Sequence, residues 1–277
     1  ISERPVFSHA NIACWGDSLT QGTGASTAAN AYPFVLGTLF PLRWVSNNGI
    51  ATQRSTDIAA RQGGVAVNIT FPSNTIQASG GATVTCDSNP LQFASTQTIS
   101  GTVSGVYGQL SISGSTYTWT RKDAGSTVAL SGATLFVVDN GLKNSGITVI
   151  WVGRNNVTVA PATVLADIAA MVANLTALNK RFIVMSILNS SAEGTGTSEL
   201  TTILATNATL SSTYGNKYLD IRQTLVNAYN AGIPADVTAY GLNKVPPSLQ
   251  YDTIHLNTAG YLLVAQTVAA KITALGW

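Results

Sequence analysis

The chain has 277 residues, enough to bury a sizeable core, with 45% hydrophobic and only 9% charged residues. With a formal net charge of +2 and no Lys/Arg run, nothing argues for nucleic acid or an anionic membrane as the main partner. No stretch approaches the roughly 18 apolar residues of a membrane span, and two cysteines, Cys14 and Cys86, are too few for a disulfide framework.

In chain order, ISERPVFSH at the start lacks the basic-then-apolar pattern of a secretory leader and carries His9, one of two histidines. IACW (12–15) and LRWV (42–45) read as buried strands, each followed by a polar, glycine-bearing loop, GDSLTQG and VSNNGIATQRS (45–55). From about Gly64 to Leu142 the helical pattern disappears. Period-two stretches at 65–71, 82–86, 106–112, 116–120 and 135–138, separated by Gly/Ser turns, predict a small antiparallel β module. Its Tyr107, Tyr117 and Trp119 suit either sugar stacking or the module's own core. ITVIWV (147–152) and FIVMSIL (182–188) are further buried strands, and KYLDI (217–221) a peripheral one. Residues 163–178 place Val164, Ile168, Met171, Val172 and Leu175 on one helical stripe, and 258–275 form a last helix with Asn257 as its N-cap. This alternation predicts an α/β protein with a three-layer, doubly wound parallel sheet. The expected division is a discontinuous α/β domain, 1–63 with 143–277, carrying an inserted β module at 64–142.

The chemistry concentrates at the carboxyl ends of these strands, where open α/β sheets bind ligands. Ser18 follows the first strand. Arg154 and Asn155, in WVGRNN (151–156), follow the strand at 147–152. The second histidine, His255, stands three residues after Asp252 in YDTIHLN (251–257). A serine nucleophile needs an adjacent base, and the base needs a partner for its other ring nitrogen. Two separated histidines and two separated cysteines do not make a zinc site, and no phosphate-binding glycine motif is present, so neither metal nor cofactor is expected.

GDSLTQG, the Asn-Gly loop, GRNN and DTIH resemble, in this order, the sequence blocks of the SGNH (GDSL-type) hydrolase and esterase superfamily. The resemblance covers about residues 10–62 and 143–277. It implies an SGNH/flavodoxin-like α/β fold with Ser18 as nucleophile, His255 as base and Asp252 as its orienting carboxylate. The oxyanion would be held by the Ser18 N–H, a second-loop N–H and the Asn155 amide. The family's second-block glycine aligns with Thr52, while Gly49 lies three residues earlier; we take Thr52 as the donor. Asn156 stands where the family often has Asp. Gly49 and Arg154 are candidate substrate contacts, an ion pair being the other role open to Arg154. The superfamily includes esterases with inserted β modules that deacetylate polysaccharides. The expectation is therefore a serine esterase acting on short acyl groups, chiefly acetyl, of a glycan or small molecule at a bacterial or phage surface. The alternatives are a lipid-directed or aryl esterase, and a glycan-binding module with a vestigial site.

Overall fold

The structure is a computed structural model describing residues 11–177 and 180–277; His9 lies outside them. Strand β1 (Ile12–Gly16) runs into a single helical turn, α1 (Ser18–Gln21), followed by α2 (Tyr32–Leu39), β2 (Val45–Gly49) and α3 (Ser55–Gln62). Eight strands come next: β3 (Val67–Thr70), β4 (Thr75–Ile76), β5 (Gly81–Cys86), β6 (Thr98–Val103), β7 (Val106–Ser113), β8 (Thr116–Arg121), β9 (Val128–Ala129) and β10 (Thr134–Val138). The rest is β11 (Ile147–Trp151), α4 (Pro161–Ala173), β12 (Arg181–Met185), α5 (Ser198–Tyr214), β13 (Tyr218–Leu219), α6 (Ile221–Asn227), α7 (Pro234–Gly241) and α8 (Thr258–Ala274).

Five strands form one sheet in the order β13-β12-β11-β1-β2, every pair parallel. Alternate side chains go to opposite faces. Ile12, Cys14, Val149, Trp151 and Ile183 pack with Leu36 of α2, Ile221 of α6 and Val264 and Val268 of α8. Ala13, Trp15, Ile150 and Val184 pack with Ile58 of α3, Val164 and Ile168 of α4 and Ile203 of α5. Burial on both faces is why these strands carry nearly unbroken apolar runs, and each buried Ile or Val contributes about 1.5–3 kcal/mol. Cys14 and Cys86 are free thiols, and burial pushes both up to about 12.

The second strand sits later than its sequence suggests. Leu42 and Trp44 are exposed, and the strand is Val45–Gly49, paired with β1 from Ile12↔Val45 to Gly16↔Gly49. Its buried polar residues are satisfied locally: Asn48 Nδ2 donates to Ser46 Oγ at 2.9 Å, and Arg61 Nη2 donates to the Asn48 carbonyl at 2.9 Å. A buried strand need not look apolar when its side chains find partners.

Between α3 and β11 the chain builds a closed barrel of antiparallel strands, in the order β10-β3-β5-β8-β7-β6. Val67, Ile69, Val103, Leu110, Trp119 and Phe136 fill it. Tyr117 and Trp119 belong to this core, so they are not a sugar-stacking surface: Tyr117 OH accepts from Leu91 N–H at 3.1 Å, and Trp119 meets Phe71 edge-on at 5.3 Å. Tyr107 is half-buried and donates its hydroxyl to Asp139 Oδ2 at 2.9 Å. SGTVSG (100–105), which looks like a Gly/Ser turn, begins inside a strand paired with β7 and β10, and Gly101 is glycine because the Phe136 ring and the Val137 carbonyl occupy the space a Cβ would need.

Candidate active site

The turn that carries Ser18 is built by Asp17. Its Oδ1 accepts from the Leu19 N–H at 3.0 Å and its carbonyl accepts from Thr20 and Gln21, which forces the chain from strand into helix. Ser18 is thereby fixed at the first helical position, 6% exposed, and its own N–H has no acceptor among the described residues. Asp17 itself is fully buried and its Oδ2 has no hydrogen-bond partner. Burial pushes its carboxyl up to about 6, against the pull of the Leu19 N–H and of the charges of His255 and Arg154.

The other half of the site is a tight loop before α8. Gln250 and Leu256 pair as an antiparallel bridge, and Tyr251 N–H donates to the His255 carbonyl at 2.9 Å. Inside it, Asp252 Oδ1 accepts from the N–H groups of Ile254 (2.8 Å) and His255 (2.7 Å). Asp252 Oδ2 lies 2.7 Å from His255 Nδ1, and His255 Nε2 lies 2.9 Å from Ser18 Oγ. Burial opposes the charge on Asp252, but the backbone N–H of His255, its ring and the Ile254 N–H outweigh it and hold the carboxyl at about 2. An ionised Asp252 only accepts, so Nδ1 carries the proton and Nε2 presents its lone pair to the Ser18 hydroxyl. Asn257 closes the loop as the N-cap of α8, accepting from Gly260 N–H at 3.0 Å.

Beyond β2 the chain turns through Ala51 and Thr52. Gln21 Oε1, from α1, accepts from the Ala51 N–H at 2.7 Å. Thr52 is exposed with φ +64°, a left-handed conformation costing a β-branched residue about 1–3 kcal/mol, and its N–H has no acceptor among the described residues. Gly49 is different. Its N–H is held by Asn47 Oδ1 at 2.9 Å, it is buried, and a Cβ there would fall on the backbone of Thr20 and Gln21. Its glycine serves the close approach of β2 to α1, and of the two second-loop candidates only Thr52 has a free N–H.

From the turn after β11, Asn155 donates from Nδ2 to the Gln53 carbonyl at 2.9 Å, which leaves its second amide hydrogen free. Asn156, where the family often has Asp, accepts from Ser55 N–H (3.2 Å) through Oδ1 and donates from Nδ2 to Ser55 Oγ (2.9 Å). Ser55 Oγ then donates to Asp167 at 2.6 Å. A carboxylate could only accept, so the amide is the group that completes this chain. Arg154 is engaged inside the protein, with two 2.7 Å contacts to Glu193 and one of 2.8 Å to the Leu188 carbonyl. The ion-pair role therefore accounts for Arg154.

Gln53 is the residue that sequence patterning does not mark. Fully buried, it donates to the carbonyls of Pro90 (3.2 Å) and Gln92 (3.0 Å) in the β5–β6 loop and accepts from Arg61. Its only signal is its place directly after Thr52. Among the described residues no cluster of His, Cys, Asp and Glu could hold a metal ion, and no helix is long and apolar enough to cross a membrane.

No protein-family profile matches the chain. A solved structure described as a lipolytic protein of the G-D-S-L family, from Desulfitobacterium hafniense DCB-2, is similar with a TM-score of 0.52 at 16% identity. The likeness covers 95% of this chain and 99% of that one. The chain thus shares with that structure a mixed α/β fold built on a parallel sheet. A tail spike protein of Salmonella phage epsilon15 is 25% identical over 187 residues, 57% of this chain but 17% of that protein. The chain thus matches a small part of that relative's length.

Proposed function

We propose that the protein is a serine esterase that removes short acyl groups, chiefly acetyl, from a carbohydrate. The observation that carries it is the continuous hydrogen-bonded chain Ser18 Oγ–His255 Nε2 (2.9 Å) and His255 Nδ1–Asp252 Oδ2 (2.7 Å) on a GDSL-type fold. Ser18 Oγ attacks the ester carbonyl as His255 Nε2 takes its proton, while Asp252 stabilises the imidazolium. The Ser18 and Thr52 N–H groups and the Asn155 amide hold the oxyanion. His255 then protonates the leaving alcohol, and water, activated by the same imidazole, releases the acid.

The same reading takes residues 1–63 and 143–277 as a three-layer, doubly wound catalytic domain and 64–142 as an inserted module. It also places the protein at a bacterial or phage surface, in keeping with its low charge and its likeness to part of a tail spike. A fluorophosphonate should label Ser18 stoichiometrically, and Ser18→Ala should stop release of p-nitrophenol from p-nitrophenyl acetate without unfolding the chain. Undiminished turnover in that variant refutes the mechanism. Turnover rising along the series from acetyl to octanoyl esters refutes the acetyl preference in favour of a lipid-directed enzyme.

A further inference from the structure

A cleft of about 320 Å³ runs between β6 of the barrel and the face of the sheet that α3 covers. Its charged lining is Arg61, Lys143 and Asp139, and Trp15 lies at its base. Both cations stand over the same indole: Arg61 Cζ is 5.1 Å and Lys143 Nζ 5.6 Å from the Trp15 ring centroid.

Neither cation makes a direct ion pair among the described residues. Arg61, 5% exposed, uses Nε and Nη2 on Gln53 Oε1 and the Asn48 carbonyl, and Nη1 has no acceptor among the described residues. The Lys143 ammonium makes no hydrogen bond or ion pair among the described residues. Two carboxylates stand nearby, each hydrogen-bonded to neutral groups rather than to either cation. Asp139 accepts from the Gly141 N–H (3.0 Å) and the Tyr107 hydroxyl (2.9 Å), and Asp57 accepts from the Arg54 N–H (2.9 Å). Burial lowers both cations' pKa values, and Asp57 pulls Arg61 back up while the charge of Arg61 lowers Lys143 further.

Like charges on a buried Arg61 and a half-buried Lys143 beside an open cleft are a standing cost, and an anion seated against them lowers it. The unused Nη1 edge of a guanidinium suits a carboxylate oxygen. Around the cations the lining is neutral and hydrogen-bonding: Gln97, Thr98, Ser100 and Asn140. We propose that this cleft binds an acidic sugar residue, its carboxylate on Arg61 and Lys143 and its hydroxyls on the neutral side chains. None of Ser18, Asp252 and His255 lines it, so the site stands whether or not Ser18 cuts esters.

Isothermal titration of the whole chain with tri-galacturonic acid, neutral galactotriose and tri-glutamate tests this, with p-nitrophenyl acetate turnover and circular dichroism as independent controls. Tri-galacturonic acid should bind at least ~10-fold more tightly than galactotriose, and raising salt from ~0.05 to ~0.5 M should weaken it. Lys143→Ala should weaken it about fivefold or more and Lys143→Glu abolish it, with turnover unchanged in both. Equal binding of galactotriose, intact binding by Lys143→Glu, or no binding of tri-galacturonic acid at all overturns the proposal. Tri-glutamate binding as tightly as the acidic sugar overturns the sugar assignment. Loss of ester turnover in Ser18→Ala bears only on the catalytic reading, because that variant should bind the acidic sugar like the parent.

Discussion

Asn155 Nδ2 and the Gln53 carbonyl, 2.9 Å apart, join two loops separated by 102 residues in sequence. The bond orients the Asn155 amide and ties it to the loop carrying Thr52, so the two oxyanion donors proposed above belong to one braced unit. Asn155→Ala should lower kcat for p-nitrophenyl acetate about 10²–10³-fold, the usual loss for one such donor. Its thermal unfolding should report no more than about 1 kcal/mol, the worth of one hydrogen bond. A loss of activity only in proportion to lost stability would make Asn155 a brace and nothing more.

Thr52→Gly tests the second donor by a substitution that keeps it. The N–H survives, glycine accepts φ +64° without strain, and the side chain removed is exposed. The variant should retain kcat within about twofold and gain up to about 1 kcal/mol in urea unfolding. A large loss of kcat would mean that the threonine side chain itself acts on the substrate.

Asp252→Asn should reduce kcat on the order of 10⁴-fold, because an amide can hold the imidazole in the wrong tautomer. The folded carboxyl sits at about 2, below its ordinary 3.8, so its stabilisation is complete above pH 4 and is lost as pH falls from 4 to 2. Acid unfolding followed by circular dichroism should show this component in the parent and not in the variant.

Asp17 has the opposite sign. Its folded carboxyl is raised to about 6 from 3.8, so the folded chain holds that proton more tightly than the unfolded one. Its contribution is full below pH 4 and lost as pH rises to 6. Asn at this position still offers Leu19 a cap acceptor and does not ionise. Asp17→Asn should raise the urea midpoint at pH 7 by the equivalent of up to about 2 kcal/mol and lose that advantage below pH 4. Equal midpoints at pH 7 would show that the buried carboxylate is stabilised by something beyond these contacts.

Legibility in the sequence followed the physics of burial. β1, β11 and β12 are covered on both faces and betray themselves as apolar runs. His255 stands out because the chain has only two histidines, Asp252 by standing three residues before it, and Ser18 by following an apolar strand in GDSLTQG. β2 and β6 do not announce themselves, since Ser46 and Asn48 are satisfied by partners distant or adjacent and Gly101 exists to admit Phe136. Gln53 and Arg61 escape for a related reason. Their importance lies in contacts to the β5–β6 loop and the Asn48 carbonyl, which no short pattern encodes.

The barrel's first and last strands pair with each other, Val67 opposite Phe136 and Ile69 opposite Thr134. Once that ladder forms, the long excursion between α3 and β11 shrinks to a short bridge as far as the rest of the chain is concerned. β1 must find β11 across that excursion, Ile12 meeting Ile147, and the entropy of closing a loop grows with its length. A barrel that closes early therefore hastens the meeting of the two central strands, so its strand pairing bears on the folding rate of the part that carries Ser18.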